Sequence, residues 1–96
     1  MRRIDYLPGA RQDFDESFKW YAERSTEAAR RFADAIDAAL WKISGAPSEF
    51  ASIDGVHQQC TVRIFPFRVV FRDLGNEILI VAVMHSSRRP GYWKHR

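Results

Sequence analysis

The chain has 96 residues, 46% of them hydrophobic and 14% aromatic, which fits one packed domain over 1–96 and excludes two domains or a disordered chain. Its single cysteine, Cys60, excludes an internal disulfide and a cysteine metal cluster, and no cofactor is implied. The net charge of +3 conceals an asymmetry: residues 1–54 hold eight Lys/Arg against ten Asp/Glu, whereas residues 55–96 hold seven against two.

The opening, "MRRIDYLPGA", lacks the apolar core of a signal peptide, and the longest apolar run, Ile78 to Met84, is too short to span a bilayer as a helix. The expected setting is the cytoplasm, with no membrane partner. "RRIDY" predicts a short first strand, and Pro8 suits the first turn of a helix, where a missing N–H costs nothing. Ala10, Phe14, Phe18 and Tyr21 recur at helical spacing and form one apolar stripe, with Trp20 at its edge. Asp15 and Lys19, four apart, form a helpful pair on the wet side.

Ser25 and Thr26 break that stripe and supply a cap for a second helix, with Glu27 in its first turn. Ala28, Phe32, Ala35, Ile36, Ala39 and Ile43 fall on one face, and Arg31, Asp34 and Asp37 on the other, where Trp41 also falls. Gly45 and Pro47 end the helix. Two stripes in succession predict an antiparallel helical hairpin, with the alanines permitting close approach.

The period then changes from helical to two. "CTVRIF" alternates Cys60, Val62 and Ile64 against Thr61, Arg63 and Phe65, and "FRVVFRD" alternates Phe67, Val69 and Phe71 against Arg68, Val70 and Arg72. Pro66 marks a corner or bulge between them, because proline cannot donate to a ladder. "LGNE" is a hairpin turn, and "ILIVAVM", apolar on both faces, is a central strand. The expected fold is α+β: a short N-terminal strand, then a two-helix hairpin packed on one face of a small, mainly antiparallel sheet.

If the corner at Pro66 keeps the flanking strands in phase, Arg63, Arg68 and Arg72 share the sheet face away from the helices. Such a face is either simply solvated or a site for carboxylate or phosphate, which arginine binds in bidentate fashion. The chain closes on "HSSRRPGYWKHR", in which Arg88, Arg89 and Lys94 surround Tyr92 and Trp93. The tail is therefore expected to form the last edge of the domain, anchored by an aromatic ring that holds basic residues near the open face. His85 reads as a polar residue terminating its strand and bonded to the tail, and a functional role is expected still less of His57, in a loop-like stretch, and His95, second from the end.

The C-terminal third carries a resemblance. "FPFRVVFRD…NEILIVAVMHSSRRPGYW" resembles the RelE/ParE superfamily of bacterial type II toxins. Its members often read "FPY-x-V-x-Y", an apolar strand ending "AV-x-H", and then "R-x-P-x-YW". Those positions here are Phe65, Pro66, Phe67, Val69 and Phe71, then Ala82 to His85, then Arg88 or Arg89, Pro90, Tyr92 and Trp93. Ala10, Asp13, Tyr21, Phe32, Ile36, Ile43 and Pro47 agree more loosely. The resemblance implies a cognate antitoxin, an oligomeric toxin–antitoxin complex, and one of two targets. ParE-like members poison DNA gyrase without catalysis, and RelE-like members cut mRNA on the ribosome.

In the nuclease-like members, lysines on the strand before the arginine strand take part in proton transfer; matched to this chain, they fall near Gln59 and Thr61, neither of which is cationic. The first reading is accordingly a ParE-like gyrase poison, a binder with no catalytic residue. Its contact surface would be Arg63, Arg68, Arg72, Arg88, Arg89, Tyr92 and Trp93. The alternative is a metal-independent endoribonuclease with Arg68, His85 and Tyr92 as its catalytic set. A third is an inactive relative that only binds its antitoxin.

Overall fold

The structure, a computed structural model, describes residues 2–96. In chain order it contains β1 (Arg3–Tyr6), α1 (Pro8–Ala22), α2 (Thr26–Gly45), a single 3-10 turn (Pro47–Glu49), β2 (Gln58–Thr61), β3 (Phe67–Asp73) and β4 (Glu77–His85). The sheet order is β1-β4-β3-β2, with β1 parallel to β4 and the other pairs antiparallel. The predicted α+β architecture is the observed one.

The helix boundaries follow from local chemistry. Leu7 offers no side-chain cap, and Pro8 at the first helical position starts α1. Ser25 caps α2, its Oγ accepting the Ala28 N–H at 3.1 Å. The helix ends at Gly45, two residues before Pro47. Aromatic rings join the helices as much as alanines do: Phe32 stacks on Phe14 at 5.6 Å and on Tyr21 at 5.2 Å. Ala29, absent from the predicted stripe, is buried, and Ala28 is only half-buried. Phe18 stands 37% exposed, whereas Tyr21 further along the same stripe packs against Phe32 and Phe65.

The main core lies between the helices and one sheet face. Phe32, Ile36 and Ile43 from α2 meet Phe67, Val69, Phe71, Ile78 and Ile80 from the sheet. A second, smaller core lies on the opposite face, where Trp93 covers Val70, Val81 and Ala82. The apolar character of β4 on both sides is thereby explained: helices cover one face and the tail covers part of the other.

A bulge divides β4. Val70 pairs with Ala82 and Phe71 with Ile80, so Val81 is the extra residue. Ile78 and Ile80 point into the helix-side core, Val81 and Ala82 into the tail-side core, and Val83 back to the helix side.

The strand before Pro66 is shorter than its alternation predicts. β2 stops at Thr61, and the Val62 N–H donates to the Phe67 carbonyl at 2.9 Å, closing a tight connection over 62–67. Ile64 sits in this connection at φ 77°, 82% exposed, not on the apolar side of a strand. Arg63 therefore belongs to a turn, and not to the sheet face on which the sequence pattern placed it. The hairpin at 74–77 is as predicted: Gly75 adopts φ 93° and its N–H donates to Asp73 Oδ1 at 2.9 Å.

Candidate functional site: an open basic face and a cavity beside the tail

Arg68 and Arg72 alternate with Val70 along β3, whose neighbours Phe67, Val69 and Phe71 enter the helix-side core. Both arginines therefore project from the open face, on either side of the Val70 that Trp93 covers. Across from Arg68 stand Thr61 on β2 and Met84 on β4, and Gln59 stands across from Val70. The open face near Arg68 thus presents a hydroxyl, an amide and a thioether.

The tail after β4 has no regular structure, yet it is fixed. Trp93 is 3% exposed, and its ring lies 4.8 Å from that of His57. His57 is in turn tied down by Asp54, with Nδ1 to Oδ2 at 3.0 Å. Asp54 also accepts the backbone N–H groups of Val56 and His57, and these bonds hold its carboxyl at about 2, below the ordinary 3.8. Gly91 at φ 77° turns the tail back on itself.

Asp13 on α1 is the tail's main polar anchor. It is 7% exposed, and its Oδ2 accepts from Tyr92 Oη at 3.0 Å, Arg96 Nη1 at 2.7 Å and the Val83 N–H at 3.1 Å. Its Oδ1 accepts from Arg96 Nη2 at 3.1 Å, which completes a bidentate pair. Arg96 Nη1 also donates to the Val81 carbonyl at 3.0 Å. β1 ends at Tyr6, opposite Ile80, so on that edge of β4 the Val81 carbonyl and the Val83 N–H find side-chain partners instead of a strand. Burial, then the Asp13 charge and hydrogen bond, push the Tyr92 phenol up to about 12.

Beside this anchor lies a cavity of about 580 Å³ between α1 and the ends of β3 and β4. Trp20, Tyr21, Phe67 and Val83 supply its apolar surface; Asp13 and Glu16 stand on one wall and His85 and Arg88 on the other. His85 Nδ1 accepts the Ser87 N–H at 2.9 Å, so the histidine does terminate its strand by bonding to the tail. Its ring meets Phe67 edge-on at 5.0 Å. The Arg88 guanidinium lies 3.8 Å from the centroid of the Tyr92 ring.

The predicted contact residues thus form two groups and one outlier. Arg68, Arg72 and Trp93 share the open face. Arg88 and Tyr92 sit at the edge beside the cavity, with Arg89 exposed on the turn next to them. Arg63 lies apart on the 62–67 connection. None of the five arginines enters an ion pair among the described residues. The proposed catalytic set does not converge. Phe67 pairs with His85 and Arg68 with Met84, so His85 and Arg68 lie on opposite faces of the sheet. Tyr92, tied to a carboxylate and with its pKa near 12, is no base at neutral pH.

Sequence reading named Asp13 only among the looser family matches and gave it no role, and it missed Arg96 and the cavity. The available signal was an acid three residues after Ala10, on the buried side of α1, in a chain whose end is rich in arginine. Among the described residues, no group of three or more His, Cys, Asp or Glu is placed to hold a metal ion. Among the described residues, no helix is long and apolar enough to cross a membrane.

A family model described as ParE toxin of type II toxin-antitoxin system, parDE, matches residues 4–90. The chain is 29% identical over 90 residues to proteins called Toxin ParE2 from two Mycobacterium tuberculosis strains, CDC 1551 / Oshkosh and H37Rv. Each match covers 93% of this chain and 86% of the relative. Among solved structures, a chain of the chromosomal ParDE TA system from P. aeruginosa superposes with a TM-score of 0.75 at 21% identity. That match covers 88% of this chain and 96% of the other.

Proposed function

Since the chain belongs to the ParE toxin family of type II toxin–antitoxin systems, we propose that it is a non-catalytic poison of DNA gyrase, working in the cytoplasm and silenced by a cognate antitoxin. The carrying observation is the environment of Arg68. Thr61 stands directly across from it, and Gln59 two pairs further on, at the positions where the resemblance puts the lysines of nuclease-like members. A metal-free ribonuclease needs a base for the 2′-hydroxyl proton and an acid for the leaving oxygen. Arg68 has neither beside it, and His85 faces the other way.

What the open face does offer is a pair of guanidinium groups with no ion-pair partner among the described residues, flanking a buried apolar centre. That arrangement suits recognition of a protein surface rich in carboxylates, where arginine forks pair in bidentate fashion. An acidic amphipathic antitoxin segment has the complementary character, and its removal would free the surface for the target.

The test uses purified protein in a gyrase supercoiling assay beside a ribosome-bound mRNA cleavage assay. Supercoiling should be blocked and mRNA left intact. Replacing both Arg68 and Arg72 by Ala should weaken the block by about tenfold or more while the thermal transition stays in place. Codon-spaced mRNA cuts with untouched supercoiling would replace this reading by the ribonuclease one.

A further inference from the structure

β1 is the end strand of the sheet, and among the described residues no strand lies along its outer edge. Parallel pairing decides which groups that edge shows. The Leu7 N–H donates to the Ile80 carbonyl at 2.9 Å, so the backbone groups of Arg3 and Asp5 also turn toward β4, and those of Ile4 and Tyr6 turn outward. The Arg2 N–H reaches the Ser44 carbonyl at 3.4 Å, whereas the outward groups of Ile4 and Tyr6 have no such partner among the described residues. Side chains alternate across the sheet. Ile4 and Tyr6 pack on the helix-side core, and Arg3 and Asp5 lie on the other face, where Arg3 Nη2 is 3.3 Å from Asp5 Oδ2 and 3.2 Å from Glu77 Oε2. On the helix side of the same edge, a groove of about 310 Å³ lies between Ile4 and Trp41, which is 68% exposed.

Edge strands are commonly guarded by proline or by lysines that repel a second strand. Arg3-Ile4-Asp5 is instead its own complement when reversed. We propose that β1 pairs antiparallel with β1 of a second copy of this chain, about a two-fold axis through Ile4, joining two four-stranded sheets into one. In that register Ile4 exchanges both backbone hydrogen bonds with its counterpart, and each Arg3 stands across from Asp5 of the second copy. A slip of two residues one way sets Asp5 against Asp5, and the other way sets Arg3 against Arg3. A slip of one sets outward backbone groups against inward ones and breaks the ladder. Charge and hydrogen bonding therefore select the same register. Both pairs of helices then lie on one side of the joined sheet, and the two grooves face each other with a Trp41 from each copy to fill them. A short strand and one aromatic anchor per copy make a small contact, so association is expected at roughly 10–100 µM. β4 stands between this edge and the strand that carries Arg68 and Arg72, so the pairing leaves their face open.

Charge exchange in the full chain tests the pairing. Arg3→Asp leaves two acids on the edge and Asp5→Arg leaves two bases, so each variant repels its own copy. Mixed together, the two are complementary at both positions. Sedimentation velocity at rising concentration reads the association, and amide hydrogen exchange reads the Ile4 N–H. Each variant alone should associate at least about tenfold more weakly than the parent, and the equimolar mixture should return to within about threefold of it. Trp41→Ser, with the charges of β1 intact, should also weaken the dimer. Protection of the Ile4 N–H should grow with concentration in the parent.

A parent chain that stays monomeric up to about 1 mM overturns the inference. So does a dimer that both charge variants retain, or one in which the Ile4 N–H gains no protection, since the contact then lies on another surface. Two folded variants that remain apart when mixed overturn it as well. Protection of the Ile4 N–H that arises only when an antitoxin is added gives the edge to that partner and equally overturns the self-pairing.

Discussion

Asp13 receives one backbone and three side-chain hydrogen bonds on two oxygens, and all of its partners lie between Val83 and Arg96. Removing it strands the Tyr92 hydroxyl, the Val83 N–H and a partly covered guanidinium at once. Asp13→Ala should therefore cost about 3 kcal/mol in urea unfolding and detach the tail, seen as a red shift of Trp93 emission. Tyr92 gives a second test. Its folded-state pKa, about 12, lies above the ordinary 10. The folded chain holds that proton more tightly, so the stabilisation is complete below pH 10 and is lost as pH rises from there toward 12. Tyrosinate absorbance should show one group titrating last, and Tyr92→Phe should remove that step. The periodicity of α1 places Asp13 on the buried side but does not say what it bonds, because its partners lie at the far end of the chain.

Elements defined by a clean period were legible. Both helices, β3 and the hairpin at Gly75 follow from spacing, capping and turn chemistry that act within a few residues. The connection over 62–67 was not legible, because Val62 and Ile64 continue an alternation that the backbone has already abandoned. Its cost is visible: Ile64, a β-branched residue, occupies the left-handed region with its side chain in solvent. Ile64→Asn should raise stability by about 1 kcal/mol, measured as a higher urea midpoint at unchanged slope. The bulge at Val81 was equally silent, since every residue from Ile78 to Met84 is apolar and no phase change shows. The bulge decides which of these residues meet the helices and which meet Trp93. A pattern of apolar and polar letters marks a face only when the two faces differ.

Across the whole molecule, the acidic half of the chain supplies β1, the helices and most of the loop up to Asp54, and the basic half supplies β2, β3, β4 and the tail. The cationic field is therefore carried on the sheet and its far side. Association with an acidic partner should be fast at low salt and slow several-fold as ionic strength rises from about 0.05 to about 0.2 M, with dissociation changing less. Stopped-flow mixing measures both. The same division has a consequence for folding. β1 has β4 as its one neighbour in the sheet, and the helices find their apolar surface on strands made later. The first fifty-odd residues thus own a roof with nothing beneath it, and the remainder owns a floor left uncovered. A cut through the exposed link near Gly55 would yield two pieces of opposite net charge, neither holding both sides of the main core.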